Sequence, residues 1–202
     1  MKKTILILTA IAFGLVSCSD DDENNGLQQQ SHDDSAMMDR MHAMMTEMEG
    51  MTMTHDPEID FINMMIMHHE GAIDMANLEL EDGNDATMMA KAQSIITEQQ
   101  QEIQELQTML ADLTSDDMDM TFSTEMMMSM DKMGVMADTQ LLTGDTDHDF
   151  ATLMMVHHNS AVEMASAYLH HGSNPELSAM ATMMVDMQNE EIIELGNWLL
   201  SN

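Results

Sequence analysis

His68-His69 and His157-His158 are the residues of this chain best placed to do chemistry. Each pair follows a methionine, Met65 or Met154, which lies three residues before the first imidazole and four before the second. On a helix that spacing brings the thioether within side-chain reach of both rings. Adjacent helical residues point about 100° apart, so one histidine of each pair occupies the centre of an apolar stripe and the other its shoulder. Imidazole plus thioether is a soft to borderline ligand set. Thioethers are neutral, need no deprotonation and bind hard ions poorly, so Cu(I) is the natural match and Ag(I) its mimic. Zinc prefers thiolates, carboxylates or more imidazoles. A single histidine on such a stripe ordinarily reads as a hydrogen-bonded core residue. The same Met-x-x-His-His cluster occurring twice favours ligands.

Other residues cluster around these pairs in the sequence pattern. Gln99 and Gln188 stand on apolar stripes, and Glu102 and Glu191 follow three residues later. Buried polar groups need partners. Two readings stay open: these side chains orient the second ring nitrogen of a histidine, or they bond to each other and to water. His170-His171 closes the second copy alone and reads as a surface pair, a weak Cu(II) site at most. Methionine is abundant throughout, with 31 residues. Because it is also a flexible core filler, Met37, Met41, Met44, Met45 and Met48, which share one helical face, suit packing as well as metal. Met41, Met44, Met130 and Met133 are the auxiliary metal candidates. Met51-Thr52-Met53-Thr54-His55 and Asp117-Met118-Asp119-Met120 sit in polar segments without an evident core face, where thioethers suit loose capture of a soft cation.

The elements that must position these groups come from a duplication. Asp60 to Leu110 aligns without a gap on Asp149 to Leu199 at an offset of 89 residues. Identities include Phe61/Phe150, Met65/Met154, both histidine pairs, Met75/Met164, Gly83/Gly172, Gln99/Gln188 and Glu102/Glu191. Asp56-Pro57-Glu58 supplies an N-cap, a first-turn proline and a first-turn acid. The stripe Phe61, Met65, His68, Ala72, Met75 steps by four and three, which is helical periodicity. Gly83 sits where a left-handed helix terminus is expected. A second stripe, Ala92, Ile95, Gln99, Ile103, Leu106, completes a helical hairpin. The expected fold is therefore all-α: an antiparallel four-helix bundle from a duplicated hairpin, each copy preceded by a short Met-rich helix. Repeat 1 spans 37–112, repeat 2 spans 126–201, and 36–202 forms one domain.

Competing chemistries fail on spacing. The chain contains no Glu-x-x-His, which a carboxylate-bridged di-iron bundle requires. Asp145-x-Asp147-x-Asp149 starts like a calcium loop, but Phe150 replaces the required glycine. No nucleophile–base constellation and no phosphate loop is present, so no enzymatic activity is expected. Five Lys+Arg against 37 Asp+Glu give a formal charge of −32, which argues against nucleic-acid binding.

The pattern Phe61-x-x-x-Met65-x-x-His68-His69-x-x-Ala72-x-x-Met75-Ala76, with Gln99-x-x-Glu102-Ile103 downstream and both repeated, resembles a bacterial family catalogued as a domain of unknown function, DUF 305. The resemblance covers about residues 37–202. It implies ferritin-like four-helix bundles, some of them extracytoplasmic copper-binding proteins. Carried over position by position, it supports Met65, His68, His69, Met75, Met154, His157, His158 and Met164 as ligands. Met64 facing Leu153 across the repeat departs from symmetry.

Lys2-Lys3, an apolar run from Ile5 to Val16 and Leu15-Val16-Ser17-Cys18 read as a signal peptide (1–17) with a lipobox cysteine. Cys18 is then the lipidation site, so no free thiol is expected. Residues 18–35 read as a disordered acidic tether. Ser19-Asp20-Asp21-Asp22-Glu23 resembles the export signal of surface lipoproteins, which implies a cell-envelope protein of the outer membrane, facing outward. The expected function is extracytoplasmic sequestration or buffering of copper, Cu(I) preferred and Cu(II) second. Its partners would be the metal, a copper donor or acceptor protein, and membrane only through the lipid. The alternative is a helical partner-binding module with a Met-rich face.

Overall fold

The computed structural model describes residues 29–115 and 118–202, and these are all-α apart from one isolated bridge. After a 3-10 turn at His32–Asp34 come six helices. They are α1 Ala36–Glu49, α2 Pro57–Asp82, α3 Ala86–Asp112, α4 Met120–Asp138, α5 Thr146–His171 and α6 Pro175–Leu199. The 89-residue offset maps both ends of α2 onto those of α5, and the end of α1 onto that of α4. The linker between repeats is shorter than the sequence suggests: Asp119 caps Thr121 and Phe122, so α4 begins at Met120 rather than near residue 126.

Each of the six helices is started by a side chain. Asp56 accepts from the amides of Glu58 and Ile59, Asp85 from Thr87 and Met88, and Asn174 from Glu176 and Leu177. Ser35 and Asp145 do the same for α1 and α5. These bonds satisfy donors that a helix leaves open. Just upstream of α2 and α5, the counterparts His55 (φ 69°) and Gly144 (φ 77°) turn left-handed. Asp60 accepts from the amides of Thr54 and His55, both at 2.8 Å; Asp149 accepts from Thr143 and Gly144 at 2.8 and 3.0 Å.

The hairpin turns are held from the opposite repeat. Glu58 of α2 accepts from the amides of Ser173 and Asn174 at 2.6 and 3.0 Å. Its counterpart Asp147 of α5 accepts from Asn84 and Asp85 at 3.1 and 2.8 Å. Gly83 and Gly172 do not adopt the expected left-handed form; both are extended, with φ −70°. They are glycines for a different reason. A Cβ at Gly83 would strike the Glu79 carbonyl and carboxyl, and one at Gly172 the Tyr168 ring.

Hairpins α2–α3 and α5–α6 meet through α2 and α5, while α1 packs on α2 and α4 on α5. Met41 and Met44 of α1 and Met130 and Met133 of α4 lie inside the core, so these auxiliary candidates are packed rather than displayed. Met51 and Met53 also pack against the core, because their segment folds back to Asp60. Met118 and Met120 are exposed. Asp116 and Asp117 lie outside the described residues.

Residues 29–35 are not the end of a formless tether. Gln30 pairs with Leu142 (N···O 2.6 Å), His32 Nε2 meets the Gln140 carbonyl at 2.8 Å, and Ser35 caps α1. The signal peptide, Cys18 and the first part of the tether lie outside the described residues. Among the described helices none is long and apolar enough to cross a membrane.

Candidate metal centre

The four motif histidines form a row across the α2–α5 contact. Ring centroids run 6.4 Å from His69 to His68, 3.7 Å from His68 to His157 and 5.8 Å from His157 to His158. All four are 0% exposed. The apolar stripe of each central helix points inward. That brings the first histidine of one repeat face to face with its counterpart.

His68 and His157 are hydrogen-bonded through Nε2, and His69 and His158 point the same atom towards a carboxylate. His157 Nε2 donates to the His68 carbonyl at 2.9 Å. A carbonyl accepts only, so the proton sits on Nε2. His68 Nε2 lies 2.6 Å from Ser160 Oγ, and that hydroxyl also reaches the His157 carbonyl (2.8 Å) and Met133 Sδ (2.9 Å). The arrangement that makes most bonds has Ser160 donating onward and His68 Nε2–H donating to Oγ. His69 Nε2 stands 2.7 Å from Glu102 Oε2 and His158 Nε2 3.2 Å from Glu191 Oε2, both off the N–H axis.

The other ring nitrogen, Nδ1, is buried and without a hydrogen-bond partner in all four histidines. Burial, helped by the neighbouring imidazole, holds His68 and His158 well below the usual histidine value. Burial likewise takes His157 down to about 3, against the opposing pull of its bond to the His68 carbonyl. Burial thus keeps these rings neutral, and the Nε2–H tautomers of His68 and His157 leave bare lone pairs on their Nδ1 atoms. A metal-bound histidine commonly gives its second N–H to a carboxylate or backbone carbonyl. That outer arrangement is present at His157 before any metal arrives.

Met65, Met75, Met154 and Met164 are fully buried on the same two helices, as are Met64 and its counterpart Leu153. Gln99 is buried with its Oε1 unpartnered. Gln188 sits beside the His158 ring, but neither of its polar atoms makes a hydrogen bond of ordinary geometry. Among the described residues no three His, Cys, Asp or Glu side chains are arranged to hold a metal by themselves. A soft ion satisfied by imidazole and thioether needs no such group. The residues present therefore suit Cu(I) or Ag(I) better than zinc or calcium.

The surface pair lies apart from the row. His171 is engaged at both nitrogens, by Asp119 (2.7 Å) and Glu125 (3.3 Å), and its bond to Asp119 raises its pKa; His170 is exposed. Ser160 is the positioning residue that sequence reasoning missed. Its signal was available, since glycine occupies the equivalent position 71, but its bond to His68 crosses between repeats.

Comparison with known proteins agrees with this architecture. A search of curated proteins gives no match. Among solved structures, CopM in its Cu(I)-bound form is 26% identical with TM-score 0.53, covering 71% of this chain and 96% of that one. CopM soaked with silver is 27% identical with TM-score 0.54, covering 71% and 95%. A DUF305 fragment from Deinococcus radiodurans, 24% identical with TM-score 0.55 over 72% and 97%, shares the fold. The domain of unknown function DUF305 matches over residues 14–110 and again over 58–199, and this chain belongs to that family.

Proposed function

We propose that this protein binds and sequesters copper outside the cytoplasm, as a non-enzymatic lipoprotein of the cell envelope. The observation that carries the reading is the row of four buried imidazoles, with Nδ1 unpartnered in every ring and His68 and His157 fixed through Nε2. Bare lone pairs in an apolar interior are costly unless something binds them. The neighbouring ligand type is thioether, which selects Cu(I) over hydrated divalent ions. Met65, Met75, Met154 and Met164 are the thioethers that would complete the coordination. The CopM structures hold Cu(I), Cu(II) and silver, which supports copper as the cargo. The excess of carboxylates would raise the local concentration of cations around the molecule.

The test is an anaerobic Cu(I) titration against a chromogenic chelator, with Zn(II) in parallel. Wild type should capture Cu(I) in preference to Zn(II). His68→Leu with His157→Leu, which removes the central nitrogens while keeping the volume, should abolish tight capture without loss of helical signal. Glu102→Gln with Glu191→Gln leaves the rings in place and should weaken capture by about 10–100-fold. Wild-type failure to compete for Cu(I) would overturn the reading.

A further inference from the structure

The outer groove between α3 and α6 differs on its two sides. Beside His158, the Lys91 ammonium of α3 pairs with Glu194 and lies 3.7 Å from Glu191, the carboxylate that touches the ring. The counterpart of Lys91 at the 89-residue offset is Met180. On that other side, Glu102, which touches His69, lines a groove with Glu98 and Glu105 of α3 and Met180, Met183 and Met187 of α6. The three sulfurs are spaced one per helical turn and share a face. No Lys or Arg lines this groove. Met180 is buried in the core, but Met183 is 56% and Met187 37% exposed, so core packing does not account for these two. Their counterparts on α3 are Ser94 and Glu98, so no such thioether array faces Lys91.

We infer that the Met180–Met183–Met187 groove is a separate capture site for a soft monovalent cation, the first stop of an ion bound for His69. The inference rests on the copper reading above. Lys91 is a fixed cation where the thioethers are missing, and the thioether side is open to a mobile one. Carboxylates attract the ion and thioethers select it, in the same groove.

The test is Ag(I) added to the protein with 13C-labelled methionine methyls, in chloride-free buffer. The methyls of Met180, Met183 and Met187 should shift with the earliest additions. Met180→Leu, Met183→Leu and Met187→Leu together, which keep size and apolarity, should lower the Ag(I) bound by one equivalent with helicity unchanged. Lys91→Met, which places a single thioether beside Ser94 and Glu98, should gain no full equivalent. Equal Ag(I) uptake by the triple variant, with these methyls unmoved in wild type, would remove this site while leaving the copper reading intact. A full equivalent gained by Lys91→Met would refute the need for the three-thioether array. No Ag(I) or Cu(I) uptake by wild type would end both.

Discussion

The two repeats begin their helices alike and differ where they meet. His55 and Gly144 turn the same way, Asp60 and Asp149 tie the same amides, and Glu58 and Asp147 hold each other's turns. Inside, Ser160 replaces Gly71, Tyr168 replaces Glu79 and Met180 replaces Lys91. Helix starts are local problems, so each copy must solve its own. The α2–α5 contact is shared, and one hydroxyl placed there serves both halves. Ser160 bonds His68, while its counterpart position is filled directly by Met44 resting on Gly71. His157 accordingly takes a backbone carbonyl instead of a hydroxyl. Identical ligand pairs are thus held by different supports, and the two sites are chemically inequivalent.

Making the repeats equal should be most damaging at that contact. Gly71→Ser puts a Cβ into the Met44 side chain, its Sδ, Cγ and Cβ together. It should destabilise by about 3 kcal/mol, the upper end for overpacking, measured by urea unfolding. A cost below about 0.5 kcal/mol would show that Met44 gives way freely.

Ser160→Ala makes the opposite change and should cost about 1–2 kcal/mol, since His68 Nε2–H is left without its acceptor. It should also weaken Cu(I) capture at His68 more than at His157, read from the histidine side-chain 15N signals. Equal weakening at both rings would erase the inequivalence.

A third effect, read at alkaline pH, belongs to the Glu79/Tyr168 exchange. Burial, and then the neighbouring Asp147 carboxylate, raises Glu79 from 4.5 to about 9. Tyr168 hydroxyl reaches Glu58 at 3.5 Å instead, with burial raising its pKa too. The folded state holds a proton on Glu79 that the unfolded chain has released above 4.5. That stabilisation is full below 4.5 and is lost as pH rises towards 9, with a one-proton limit of about 1.4 kcal/mol per pH unit. The buried histidines slope the other way, but only below their unfolded value of 6.5. Between pH 7.5 and 9, wild-type Tm should therefore fall. Glu79→Gln, which cannot titrate, should flatten that slope, and Tyr168→Phe should leave it unchanged. An unchanged slope in Glu79→Gln would contradict the proton held on Glu79.

What the sequence showed and what it hid divide along the same line. Caps, stripes and the His-His register depend on neighbours three and four residues away, and these were readable from spacing. Glu102 and Glu191 were readable as buried polar groups needing a partner, although which histidine each would meet depended on how α3 packs on α2. Gly83 kept its identity but not its reason, because the pressure comes from Glu79 rather than from a left-handed backbone. Ser160, Lys91 and Met180 showed only as departures from the repeat, with nothing local to say what they meet. Their partners lie on other helices, and only docking brings them together.

The central claim is that Nδ1 of each motif histidine is the atom left for the metal. Long-range 1H–15N correlation of the histidine rings reads this directly, without and with Ag(I). The account predicts Nε2–H tautomers for His68 and His157 before silver, with their Nδ1 resonances moving when it binds. Protons found on Nδ1, or silver shifting only Nε2, would contradict it.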